Sequence, residues 1–235
     1  MINLLSKIFA ANEFFIDNRI MDPGNGFFAE RNTENYFDYF LVVFESISDF
    51  NLSEFKEQID VYKDEILTGY EGLLGLDKNL SLLVVLNIDG ESELSKISNI
   101  IYDLEEDPYD FKKYVLPYGR EQLDILTKNT NNINEPDQLI NYMRRILHNS
   151  ETFTMFKNNE NNEATLEYDL VSKYFIKLPF LTIVYGDRDV RNLEEEIRGN
   201  LDVTKLNLLD ELTFDSSTDQ LDIDELYEVI KEGDS

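Results

Sequence analysis

Four carboxylates stand where a metal-dependent reaction would want them. Asp89 and Glu91 follow the apolar run LLVVLNI, and Asp187 and Asp189 follow FLTIVY in the segment YGDRD. The ends of buried strands are where α/β proteins place functional groups. Together these oxygens could hold Mg²⁺ for phosphoryl chemistry, since hard cations take oxygen ligands. Asp89, Asp187 and Asp189 are the residues a Mg-dependent nuclease would use. Asp is equally a turn and N-cap residue, and a chain with 48 acids throws up such pairs by chance. The structural reading is preferred, so no metal ligand and no catalytic residue is assigned.

Other chemistries lack their parts. The single histidine, His148, lies one residue beyond Leu147 near a helix end. It is expected to meet the helix C-terminal carbonyls. A Ser-His-Asp site would need a serine on a strained elbow, and no Gly-x-Ser-x-Gly occurs. No glycine is followed by lysine, so a Walker A loop is impossible. Gly24 and Gly26 form the Gly-x-Gly pair, and they follow Pro23 in a turn rather than a strand. With no cysteine there is no disulfide framework, thiolate metal site or Cys nucleophile. No cofactor is expected.

Charge sets a further bound. With 21 basic and 48 acidic residues the net charge is −27. A general binder of DNA or anionic membrane needs a surplus of Lys and Arg, which this chain lacks. Positive charge gathers in residues 111–150. There Lys112, Lys113, Arg120, Lys128, Arg144 and Arg145 face Glu121, Asp124, Glu135 and Asp137. Lys112 and Lys113, beside Phe111, Tyr114 and Tyr118, could stack on and neutralise a nucleic-acid strand. Pairing with the chain's own surplus acids is the preferred reading, and no sequence-specific nucleic-acid binding is expected.

The elements that must position these groups read as α/β. Strands are expected at Tyr36–Phe44, Leu80–Ile88 and Phe180–Tyr185, continuous apolar runs that suit burial on both faces. FKKYVLPY, Phe111–Tyr118, is a further candidate strand ending at Pro117. Between the first two strands Phe55, Ile59, Tyr62 and Ile66 recur at helical spacing, with Ser53 expected as N-cap. Leu94, Ile97, Ile100, Ile101 and Leu104 mark a second helix, stopped at Pro108. From Arg120 the chain reads helical: 120–129, 135–149 and 164–176, with 158–163 a loop, and a short helix ending near Gly199. The fold expected is a mixed or mostly parallel central sheet flanked by helices, with a helical second half.

Leu4, Leu5, Ile8 and Phe9 fit one face of a short first helix, without the layout of a secretory signal. No run approaches the ~18 apolar residues of a membrane span, so a soluble, cytoplasmic protein is expected. Residues 201–235 carry 11 acids and two lysines, yet Ile223, Leu226, Tyr227 and Ile230 recur at three and four. That describes an acidic C-terminal amphipathic helix, packed on its own domain or docked in a partner's groove. The divisions expected are a leader with helix (1–34), an α/β domain with a helical portion (35–200) and an acidic tail (201–235).

The stretch Leu80–Gly119, preceded by YFDYFLVVFE, carries a resemblance. Its block Glu106, Asp107, Pro108, Tyr109, Phe111, Lys112, Lys113, Tyr114 and Val115 resembles the middle component of ABC-type three-component antiphage systems, the Lamassu group. The likeness covers roughly residues 35–200. It implies a non-enzymatic accessory or adaptor subunit between an ABC or SMC-like ATPase, which detects foreign DNA, and an effector, often a nuclease. It implies no catalytic residues. The partner contacts expected are Lys112, Lys113, Tyr114 and Tyr118 as one surface and Leu226, Tyr227 and Ile230 as another. An acidic DNA mimic is the alternative, motivated by the charge, and the Mg-dependent nuclease the third.

Overall fold

The computed structural model describes residues 1–183 apart from 20, 22–23, 34–36, 49, 90–93 and 108–110. The last two residues of the strand expected at Phe180–Tyr185, the helix near Gly199 and the acidic tail with Leu226, Tyr227 and Ile230 lie outside the described residues, as do Glu91, Asp187 and Asp189.

Five strands form one sheet in the order β1 to β5: Phe15–Asp17, Gly26–Asn32, Phe37–Ser46, Leu80–Asn87 and Lys112–Tyr118. The first three pair antiparallel, and the last three pair parallel. The sheet is therefore mixed, as expected. Parallel neighbours need crossovers, and α2 (Leu52–Gly69) with α3 (Leu76–Asn79), then α4 (Leu94–Glu105), supply them. Both crossovers cover one face, where Phe55, Ile59, Ile66, Ile97 and Leu104 meet Leu41, Val43, Leu82, Val84 and Val115. The other face is covered by α1 (Ile2–Ala10), α5 (Arg120–Thr130), α6 (Pro136–Leu147) and α8 (Glu163–Lys177), packed on Phe27, Phe40, Val42, Leu83, Val85 and Leu116. A short α7 (Ser150–Lys157) lies between α6 and α8. With both faces covered, β4 has seven buried residues in succession, all apolar but Ser81, which is why it reads as a nearly continuous apolar run.

Several expectations need correcting. The cap of α2 is Asn51, whose side chain accepts from the Ser53 and Glu54 N–H groups; Ser53 is already inside the helix. The run from Phe180 does not begin as a strand. Leu178 ends α8, Pro179 and Phe180 make a turn closed by the Leu181 N–H on the Leu178 carbonyl, and Phe180 packs against Phe9, Phe14 and Phe40. Its apolar character serves that cluster, not a ladder. Pro117 does not end β5. The strand runs to Tyr118 at the sheet edge, where one side needs no ladder N–H.

Residues 15–32, read as leader, add two strands. Alternation hides in FFAERN because Phe27 and Ala29 face one core and Phe28 the other. Gly26 starts β2 rather than sitting in the turn. A Cβ there would stand 2.0 Å from the Val42 carbonyl oxygen, so only glycine lets the strands approach.

One polar corner of this added sheet has a pH consequence. Asp17 is buried, gripped by the Arg19 guanidinium and by the Tyr70 hydroxyl, which donates at 2.5 Å. Arg19 holds the Asp17 carboxyl well below the usual carboxylate range, and burial with the adjacent carboxylate pushes the Tyr70 phenol up to about 12. On the neighbouring strand Glu30 keeps Oε2 buried without a hydrogen-bond partner. Burial first, then the Asp17 charge, raises its carboxyl above the ordinary value. The two acids oppose each other in sign. Asp17 stabilises above its unfolded pKa and loses that contribution in acid. The Glu30 contribution is present when it is protonated and is lost as pH rises through its raised folded value. Glu30→Gln is therefore expected to gain about 1 kcal/mol at pH 7, the scale of an unpaired buried polar atom. Urea denaturation should show the gain shrinking toward pH 4, and no gain at pH 7 would mean that Glu30 is solvated.

Candidate functional site

Strand period decides which of the candidate contacts share a face. Successive side chains of β5 alternate, so Lys112, Tyr114, Leu116 and Tyr118 face the α1/α5/α6/α8 side, while Lys113 and Val115 face α2 and α4. Lys113 is thus separated from the other three. Its side chain is only 7% exposed, donates to the Asp107 and Phe111 carbonyls, and lies 5.4 Å from the Phe111 ring centre. Tyr114 and Tyr118 are half-buried against the helical side, and burial pushes both phenols up. Lys112 is exposed.

The rest of the basic stretch is largely engaged at home, in the manner the charge balance suggested. Arg120 lies 3.8 Å from Asp89, Lys128 lies 3.9 Å from Glu163, and Arg144 donates to the Thr182 carbonyl. Arg145 stacks over Tyr142. His148 caps α6, with Nδ1 2.7 Å from the Arg144 carbonyl oxygen, the role its position suggested. Asp89, the described member of the carboxylate set, is a cap too. Both its oxygens accept the Arg120 N–H, at 2.9 and 3.1 Å, at the start of α5. No group of three or more metal-ligating side chains is assembled among the described residues.

A concave site exists at the other end of the strands. A cavity of about 320 Å³ opens where β4 and β5 begin and β2 ends. Its polar lining is Arg31, Asp38, Lys78, Asn79, Ser81, Lys112 and Tyr114, and its apolar wall includes Pro179 and Phe180. Each position follows from register. Arg31 pairs with Asp38 across β2 and β3, and Ser81 pairs with Lys112 across β4 and β5. Lys78 comes from α3, which the left-handed Gly75 (φ 68°) starts immediately before β4. The Arg31 guanidinium is pinned by Asp38 and lies 4.8 Å from the Phe14 ring centre, which leaves its side chain 12% exposed. Sequence reading found Lys112 and Tyr114 but missed Arg31 and Lys78. Their signal was weak: Arg31 is in phase with Phe27 and Ala29, and Lys78 stands just before the apolar run.

Eight of the eleven lining residues fall in one matched stretch. Residues 38–142 match the ABC-three component (ABC-3C) system Middle Component 1 family. The match runs from β3 into α6, and it is with the family that the block at residues 106–115 suggested. No curated protein and no solved structure matches the chain. The ABC-3C match holds the parallel half of the sheet with its crossovers. Helix α1, strands β1 and β2, and helices α7 and α8 lie outside it. No described helix is long and apolar enough to cross a membrane.

Proposed function

We propose that this chain is a non-enzymatic accessory subunit, the middle component, of a Lamassu-like antiviral defence complex, linking an ABC or SMC-like ATPase to an effector. The observation that carries the reading is the family match over the parallel sheet. Support comes from the fate of the candidate catalytic groups, since His148 and Asp89 are both spent on helix ends. The mechanism is one of differential affinity: the subunit binds one arrangement of its partners more tightly, and engagement of DNA by the ATPase changes which arrangement that is. Contact is made through side chains rather than by strand addition at β5, because that edge is already occupied. The Val115 N–H donates to Glu105 Oε1 at 2.8 Å, and Pro117 has no N–H to offer.

The contact residues are Lys112, Tyr114 and Tyr118 on the strand, and Leu226, Tyr227 and Ile230 in the acidic segment. Calorimetry with the ATPase and effector of the same system tests the reading. Wild-type chain is expected to bind at least one of them. Replacing Leu226, Tyr227 and Ile230 by Ser should weaken binding about tenfold or more, equivalent to about 1.4 kcal/mol. Binding to neither partner would end the proposal, and unchanged binding by the triple variant would remove the acidic segment from it.

A further inference from the structure

Among the described residues nearly every lysine and arginine side chain is engaged in an ion pair, hydrogen bond, ring contact or other electrostatic interaction. The side chains of Lys78 and Lys112 have no such interaction there, and both line the same cavity. That is unexpected in a chain with 48 acids, where a nearby carboxylate is easily supplied. Two like charges beside Arg31 repel one another, and Asp38, already pinned to Arg31, offsets only one of the three. The local balance is +2 inside a molecule of net −27.

We infer that this cavity binds a phosphate monoester, its dianionic group on Lys78, Lys112 and Arg31 and its organic part against Pro179 and Phe180. A phosphate monoester carries about −1.5 to −2 charges at neutral pH, which matches the local surplus where a carboxylate would leave a cation uncompensated. Arg31 is pre-oriented by Asp38 and Phe14, so little freedom is lost when it donates. The Ser81 and Tyr114 hydroxyls add neutral donors to the lining. The volume of about 320 Å³ is at the small end of ligand cavities. Such a group comes from a free nucleoside monophosphate or from the 5′-phosphate end of a nucleic-acid strand. The site shares Lys112 and Tyr114 with the adaptor reading, but its test uses the chain by itself, so either can fail without the other.

Calorimetry and thermal denaturation of the full chain with adenosine monophosphate, inorganic phosphate, acetate and a 5′-phosphorylated oligothymidine test it. Saturable binding of adenosine monophosphate and phosphate is expected, with none of acetate at equal ionic strength. Lys78→Gln and Lys112→Gln should each weaken adenosine monophosphate about tenfold, the scale of one charge-assisted contact. Both side chains are exposed, so the unliganded melting temperature of each variant should equal that of wild type. Tighter binding of the oligonucleotide than of the mononucleotide assigns the site to a strand end, and the reverse assigns it to a free nucleotide. No saturable binding of any phosphate at millimolar concentration, or undiminished binding by the double lysine variant, overturns the inference.

Discussion

Phe9→Ala is expected to cost about 4 kcal/mol of stability, within the range for deleting a core aromatic. Phe9 is fully buried, and its ring meets four others, with centroids at 5.1 Å to Phe14, 5.5 Å to Phe27, 5.5 Å to Phe40 and 4.9 Å to Phe180. These come from the β1 entry, β2, β3 and the turn after α8, so one side chain ties the start of the chain to the far end of the helical layer. Edge-on geometry adds to area burial in such pairs. No single neighbour can fill the space, because each is fixed by its own strand or turn. At about 2–4 °C per kcal/mol for a chain of this size, the melting temperature should fall by about 10 °C or more. Phe9→Leu keeps most of the volume and should lose less than half as much. A loss under about 1 kcal/mol for the alanine variant would show that α1 is an appendage and that the sheet stands without it.

Glu105→Ala tests the opposite edge. Glu105 ends α4 on one face of the sheet, yet it reaches the outward N–H of Val115 on β5 and also accepts from Lys177 Nζ of α8, at 2.5 and 2.8 Å. One carboxylate therefore laces both helical layers to the edge strand. Removing it leaves a backbone donor and an ammonium without their acceptor, with an expected cost of about 2 kcal/mol. The ion pair contributes the smaller share, since both side chains keep about a fifth of their exposure. Glu105→Gln keeps an acceptor for Val115 and should cost about half as much, and Lys177→Ala less than the Glu105→Ala change. Only the alanine variant exposes the edge N–H, so it alone should self-associate on concentration, read by light scattering. Equal losses for alanine and glutamine would mean that the charge, not the N–H bond, matters most.

The parallel half of the sheet was legible because its strands are buried on both faces, so Leu82–Leu86 shows as an uninterrupted apolar run and the intervening helices as stripes. The antiparallel half was not. Strand β1 is three residues long, and β2 carries Arg31 and Asn32 at its end, so neither presents a run long enough to register. Phe180 and Leu181 misled for the converse reason: Phe180 fills an aromatic cluster and Leu181 closes a turn, which periodicity alone does not distinguish from the start of a strand. His148 was read correctly because a residue at a helix end has few other partners within reach. The cavity was only half visible. Lys112 and Tyr114 stand two apart on one strand, whereas Arg31 and Lys78 reach them through strand register and a short left-handed entry, neither of which spacing along the chain reveals.

The most direct test is to co-express the three components of the system and measure the mass of what elutes with this chain by light scattering on a sizing column. Co-elution with at least one partner is expected, with the purified chain alone consuming neither nucleotide nor nucleic acid in the presence of Mg²⁺. Elution always as the isolated chain, together with turnover that a substitution in the chain itself abolishes, would contradict the account.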